Sequence, residues 1–475
     1  MRFILLLVSL FISVFGQADE GDLSSQTDYQ TLLQQFHLTG LSVAVVDDFQ
    51  LVYQHQAGEK VYGSGQLIGP DTAFSTASMS KPVTATLAFM LAEAGKLDMD
   101  APVERYLKRW HLPASDFDMH RQLSIRQLLS HTGGTNQSGF ADFYQGDDIP
   151  TLLESLNGIK LPRYKEPLHL TFAPGSDWNY SGGGYVLVQV ALEDITGKSL
   201  AQLAREMLFV PLNMQHTTMV QPGDEGFLTD VAKVHDEQQQ IIGSGLPICP
   251  QIAPSGMWSS AADLSRFLLD YQLALAGKPS KVISRNVARQ ATQIQTLKKM
   301  GGWSAGWMRF EASGNLDWFS HGGSNTGTGG TMMATMQDGK AIVILANGPN
   351  PARLPVINLL IEDIIARRDW RKPLPSGGQQ PGPEVLQAVL GEFQPPYSET
   401  PLKIYQQDGR LYYQGTITPW SAKRSGELIY QGNGLFASDD QPNLLGVQRH
   451  AADGLTYLTI RRGMNGMPEP LMPKR

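Results

Sequence analysis

The segment Ala77-Ser78-Met79-Ser80-Lys81-Pro82 places a serine and a lysine three residues apart, just before the first strong helical pattern of the chain. On a helix, side chains at that spacing lie on one face, one turn apart. Pro82 is tolerable only near a helix start, so Ser78 is expected at or just before the N-terminus. There, free backbone N–H groups and the positive end of the helix dipole would stabilise a developing oxyanion. A serine hydroxyl needs a base to become a nucleophile, and a lysine can serve once burial or positive charge lowers its pKa. Met79 and Val83 give Lys81 apolar neighbours in the sequence. Ser-x-x-Lys alone also describes a capping serine beside a solvated lysine, so the reading needs support from elsewhere.

Two further segments supply it. Trp178-Asn179-Tyr180-Ser181-Gly182-Gly183-Gly184-Tyr185 reads as a glycine-rich turn feeding a helix. Tyr180 in that turn can present a phenol to Ser78 and share its proton with Lys81; the alternative is an aromatic that only fills the core. Later, His321-Gly322-Gly323-Ser324 ends an expected strand, and its small residues let a substrate backbone lie along the strand edge. His131, beside Gly133 and Gly134, reads as a structural loop residue in preference to a substrate contact. Gly302-Trp303-Ser304-Ala305-Gly306 spells the elbow of another hydrolase class, but a strand is expected after it where that elbow needs a helix. Thr196-Gly197-Lys198-Ser199 imitates the end of a phosphate loop, yet Leu192 stands where the first glycine belongs, so it reads as one helix ending and the next beginning. No metal site and no cofactor is expected.

The elements that must position these residues follow from periodicity. Short strands at 41–46 and 50–53 flank Asp47-Asp48 as a hairpin. Helical spacing recurs at 82–95, 124–129, 185–196, 200–208 and 261–276, strands return at 303–310 and 330–346, and a last helix covers 356–368. Early strands, central helices and late strands predict an α+β domain whose chain ends meet in one antiparallel sheet. Residues 372–384 carry Pro373, Pro375, Gly377, Gly378, Pro381, Gly382 and Pro383, the composition of a linker. Beyond it, short strands around Asp408-Gly409 predict a small all-β, barrel-like domain over 385–475.

The chain has 475 residues, enough for two or three folding units, with 41% apolar residues and a net charge of −7. No long basic run suggests nucleic acid as a partner. Arg2, the apolar stretch Phe3–Phe15 and Gly16-Gln17-Ala18 read as a signal peptide over 1–18, leaving the α+β domain at 19–371; export to a bacterial periplasm or beyond is the expected setting, with no stable membrane span after cleavage. Cys249, the single cysteine, lies in an apolar stretch and is expected to be buried and structural.

Taken in order, Ser78–Lys81, Tyr180–Gly182 and His321–Gly323 resemble the Ser-x-x-Lys, Tyr-x-Asn and Lys/His-x-Gly motifs of the class C β-lactamase-like, penicillin-recognising serine hydrolases. Leu128-Leu129-Ser130-His131-Thr132-Gly133-Gly134 and Pro254-Ser255-Gly256-Met257-Trp258-Ser259-Ser260 are also similar to phrases of that family, and the likeness covers roughly 35–365. The resemblance implies a β-lactamase/transpeptidase-like antiparallel sheet flanked by helices, with a lipocalin-like C-terminal appendage. It implies Ser78, Lys81 and Tyr180 as catalytic residues, an oxyanion hole from the N–H groups of Ser78 and Ser324, and substrate contacts at Gly182, His321, Gly322 and Gly323. The substrate would be a small molecule or peptide, peptidoglycan fragments among them, held as an ester or amide and acylating Ser78. Gly182 departs from the motif asparagine and His321 from a fixed cation. Both disfavour β-lactam hydrolysis, and restoring asparagine at 182 is expected to raise it. Gly182 also leaves open a catalytically degenerate protein that recognises peptidoglycan or a partner.

Overall fold

The computed structural model describes residues 28–117, 122–296, 302–312, 316–371, 380–395, 398, 400–417, 423–432, 434–438, 445–449, 456–460 and 469–473. The expected signal peptide and residues 372–379 of the expected linker lie outside them.

The N-terminal hairpin forms as β1 (Gly40–Asp47) and β2 (Gln50–Gly58). Asp48 and Phe49 at its tip have φ of 45° and 59°, the left-handed pair that matches the twist of a two-residue turn. The chain then runs through β3 (Phe74–Ala77), β4 (Thr217–Thr218) and β5 (Met257–Ser259), which make a small sheet of order β3-β5-β4. The main sheet adds β6 (Gly302–Trp303), β7 (Met308–Ala312), β8 (Leu316–Asn325), β9 (Thr328–Thr335) and β10 (Ala341–Asn347). Its order is β2-β1-β10-β9-β8-β7-β6, and every neighbour is antiparallel. β1 pairs with β10 from Gly40↔Asn347 to Val46↔Ala341, so the two ends of the domain do meet in the sheet, one strand in from its edge.

Both faces of β1 and β10 are covered, which is why they read as nearly continuous apolar runs. Val43, Val45, Ile342 and Ile344 pack with Val356, Leu360 and Ile364 of the helix Asn350–Arg367. Ala44, Val46, Val343 and Leu345 face the other way, into a larger core with the helices Ser80–Glu93, Gly182–Thr196 and Ala261–Leu275. The helix Ser80–Glu93 is buried on all sides over most of its length, as a central core helix must be apolar all round.

Two sequence expectations shift and one that rivalled a motif holds. The helix expected at 185–196 begins at Gly182, so Gly182-Gly183-Gly184 are its first turn and not a loop before it. They are glycines for lack of room: a Cβ on Gly183 would meet Leu168 at 2.4 Å and one on Gly184 would meet Thr135 at 3.1 Å. The last helix starts at Asn350, with Pro351 in the first turn where no N–H bond is lost, and runs on through Pro355, an interior proline that gives up one backbone bond. Thr196-Gly197-Lys198-Ser199 is the helix boundary expected, with Gly197 left-handed at φ 69° and Ser199 capping the next helix.

The C-terminal strands β11 (Gly391–Gln394), β12 (Leu402–Gln407), β13 (Arg410–Gln414), β14 (Ser425–Gly432), β15 (Leu435–Ala437), β16 (Leu445–Arg449), β17 (Thr456–Ile460) and β18 (Glu469–Pro473) pair in chain order and close on themselves. Phe393, Leu402, Ile404, Tyr413, Leu428, Phe436, Leu458 and Ile460 belong to their buried apolar cluster. The helix Pro383–Val389 precedes them and takes in the last two residues of the expected linker.

Candidate active site

β3 delivers Ser78. Its last residue, Ala77, has φ 49°, and the chain turns there from strand into the helix Ser80–Glu93. Ser78 therefore stands two residues ahead of the helix, while Lys81 is in its first turn. The Lys81 Nζ lies 3.0 Å from the Ser78 Oγ and donates to the Pro254 carbonyl at 2.9 Å. Lys81 is 1% exposed, and burial pushes its pKa down to about 7. Among the described residues no carboxylate is hydrogen-bonded to it, and burial is the cause of that shift.

Tyr180 completes the cluster. Its phenol hydrogen-bonds Ser78, and burial raises its pKa so that it stays protonated at neutral pH. The Lys81 Nζ sits 4.7 Å from the centre of its ring. Serine oxygen, low-pKa amine and neutral phenol thus share one cluster, which puts a group able to accept a proton and one able to donate it in reach of the serine oxygen.

β8 forms the opposite wall. Its pairing with β7 ends at Ser320↔Met308, so residues 321–325 pair only with β9 and leave their other edge without a strand. Gly323 has to be glycine: a Cβ there would lie 2.0 Å from the Thr76 carbonyl of β3. That close approach brings Ser324 and Ser78 to line one cavity of about 330 Å³ with Lys81 and Tyr180. The Ser324 Oγ accepts from Arg353 at 3.0 Å.

The other expected contacts are placed differently. His321 is 3% exposed, donates through Nδ1 to the Gly322 carbonyl at 2.6 Å and lies 6.4 Å ring to ring from Tyr180. Burial, then Lys81, push its pKa to about 3, so it is neutral. Gly182, expected as a substrate contact, is buried, and its N–H donates to the Ser138 carbonyl at 2.6 Å. A Cβ at 182 would lie 2.5 Å from that same carbonyl and 3.0 Å from the Phe140 ring. The loop at 138–140 fills the space a motif asparagine would need.

Ser304 of the rival elbow is fully buried and donates to the Trp307 carbonyl at 3.0 Å, with β7 and no helix after it. Cys249 is buried, as expected, and its Sγ is 3.7 Å from an oxygen of Asp142. Asp142, Arg163, Glu237, Asn325 and Asn350 also line the cavity. Sequence reasoning did not single them out, because they come from five separate stretches with no shared spacing.

The profile of the family described as Beta-lactamase matches residues 26–365, well over half of the chain. The chain belongs to that family. It is therefore a serine hydrolase of the acyl-enzyme kind. It is similar to penicillin-binding protein 4 of Amycolatopsis lactamdurans, at 27% identity over 68% of this chain and 84% of that protein. Esterase EstB of Burkholderia gladioli is 26% identical over 61% of this chain and 80% of its own. Among solved structures, SurE with D-Leu superposes with a TM-score of 0.56 at 20% identity, covering 94% of this chain and 97% of that one, which shows a shared fold.

Proposed function

We propose that this β-lactamase-family hydrolase cleaves esters or amides of small acyl groups, D-aminoacyl groups among them, with Ser78 as nucleophile, Lys81 as base and Tyr180 as proton donor. The observation that carries the reading is the buried Lys81 amine, 3.0 Å from the Ser78 Oγ and with its pKa near 7. In its neutral form the amine takes the proton as Ser78 Oγ bonds to the substrate carbonyl carbon. The N–H groups of Ser78 and Ser324 would receive the oxyanion, the leaving oxygen or nitrogen would take a proton from the Tyr180 phenol, and water would then release the acyl group from Ser78.

The cavity is small and lined mainly by polar groups, which suits a compact acyl group with hydrogen-bonding substituents. An esterase and a penicillin-binding protein stand among the relatives, and a fold neighbour was solved with D-Leu. Neutral His321 offers no fixed positive charge to a β-lactam carboxylate. The reading of Gly182 as a sign of lost catalysis has less support, since the loop at 138–140 accounts for it sterically. Export belongs to the same proposal, resting on the apolar leader, and the mass of the mature protein should begin at Asp19.

Intact-mass spectrometry after exposure to a fluorophosphonate, and separately to a penicillin, tests the function. A single fluorophosphonate adduct on Ser78, absent in a folded Ser78→Ala variant that turns over no ester, is expected. No adduct on the wild-type protein would overturn it.

A further inference from the structure

Tyr180 lies outside regular structure, one residue before the cap of the helix Gly182–Thr196. Its phenol must nonetheless stay within a hydrogen bond of Ser78. His131 touches this segment at three points. Its carbonyl accepts the N–H of Asn179 at 3.0 Å, and its Nδ1 accepts the N–H of Ser181 at 3.0 Å. Its ring lies 4.3 Å from the ring of Tyr180, tilted by 37°. The peptides on both sides of the tyrosine and the tyrosine ring itself thus rest on one residue.

The backbone and ring of His131 are held in turn. Its φ is 61°, a left-handed conformation in which histidine, asparagine and aspartate are enriched among residues with a Cβ. Trp303 and Trp178 meet the ring edge-on at 5.1 and 6.1 Å, and Tyr185 lies 5.4 Å away. Because Nδ1 accepts an N–H, the neutral ring carries its proton on Nε2. Nε2 has no hydrogen-bond partner among the described residues, so His131 is outside the proton path between Ser78, Lys81 and Tyr180. A protonated ring could not accept from Ser181. Burial first, then the nearby Lys81 and His321, hold protonation well below the usual histidine range.

We propose that His131 is a positioning residue: a neutral imidazole clamp that fixes Tyr180 against Ser78 and helps keep water from the Lys81 amine. This rests on the reading of Ser78, Lys81 and Tyr180 given above. It assigns to a loop histidine a task that the sequence alone left as structural. Around Lys81 the clamp acts in company with Tyr180, Tyr185 and His321, the other ionisable side chains that face the amine.

Two variants of the full chain separate the parts of the clamp. His131→Asn keeps a side-chain acceptor and a residue at ease in the left-handed region, but removes the ring. His131→Phe keeps a ring and removes the acceptor. Hydrolysis of ethyl butyrate, whose alkoxide leaving group needs a proton, would be followed by alcohol release from pH 5 to 10, with rates divided by the sites that react with a fluorophosphonate. Both variants are expected to lose about tenfold or more in kcat per reactive site, with KM changed far less, since misplacing a proton donor acts on the chemical step. In His131→Asn the acid limb of the profile should also move up by about half a pH unit or more, as water reaches the lysine. Variants that keep the wild-type kcat per site and the same acid limb, and differ only in Tm or folded yield, would overturn the clamp. A wild-type protein that never reacts with the fluorophosphonate would instead overturn the proposed function, and the clamp with it.

Discussion

Replacing Lys81 by methionine should stabilise this protein while abolishing its activity. The amine is buried with its pKa near 7, against 10.5 for an exposed lysine. Between those values the unfolded chain holds a proton that the folded chain gives up, so folding is penalised. At pH 7 the penalty is about 4 kcal/mol, taking about 1.4 kcal/mol for each tenfold change in proton affinity. Methionine keeps an unbranched apolar stem but leaves the Pro254 carbonyl without the lysine donor, which offsets about 1–2 kcal/mol of the gain. The net expectation is a variant about 2–3 kcal/mol more stable at pH 7. The sign with pH follows from a folded pKa below the unfolded one. The penalty is complete below pH 7, shrinks as pH rises toward 10.5 and is gone above it, where both states hold a neutral amine. Seven of the eight tryptophans precede residue 371, so fluorescence-detected unfolding between pH 6 and 10 reports on the hydrolase domain. The advantage of the variant should be largest at pH 6 and fade by pH 10. A variant less stable than wild type at pH 6, or an advantage that does not change with pH, would refute burial as the cause of the low pKa.

Tyr180→Phe removes only the hydroxyl and should lower kcat/KM for ethyl butyrate by about 10²–10⁴, while the acid limb near pH 7 stays in place because Lys81 sets it. An acid limb that vanished in this variant would move the titration to the tyrosine. Gly323→Ala puts a methyl group 2.0 Å from the Thr76 carbonyl, so β8 must retreat from Ser78; about a hundredfold loss in the rate of fluorophosphonate labelling is expected, and an unchanged rate would contradict the wall described here. Gly182→Asn, which the motif comparison favours as a gain of β-lactam reactivity, should cost about 2 kcal/mol or more of stability through overlap with the Ser138 carbonyl and bring no faster penicillin acylation. Faster acylation in that variant would restore the simpler motif reading.

How much of the site could be read in advance depended on the range of the interaction concerned. Ser78 and Lys81 are three residues apart, and Pro82 marks the helix start, so their relation is local and legible. The glycines at 182–184 and 323 were visible as glycines, but the reason for each is a neighbour far away in sequence: Leu168, Thr135 and the carbonyls of Ser138 and Thr76. The helix from Asn350 was read six residues too short, because Pro355 reads as a helix break, whereas packing of Val356, Leu360 and Ile364 on the sheet holds the helix through it. Asp142, Arg163, Glu237 and Asn350 carried no signal, since what unites them is a shared cavity wall.

The sequence by itself determined the order of elements, the sheet joining the chain ends, the separate all-β unit and the Ser-x-x-Lys start of a buried helix. Each follows from periodicity, turn chemistry or local spacing, which a chain carries wherever it folds. Only the tertiary structure decided that the lysine is dry enough to be a base, that His321 is neutral and buried, that Gly182 is filled space, and that His131 grips the tyrosine. These depend on burial and on contacts between segments up to hundreds of residues apart, such as Lys81 with the Pro254 carbonyl and Gly323 with Thr76. The low pKa of Lys81 is produced by what surrounds it, and those surroundings exist only once the chain is folded.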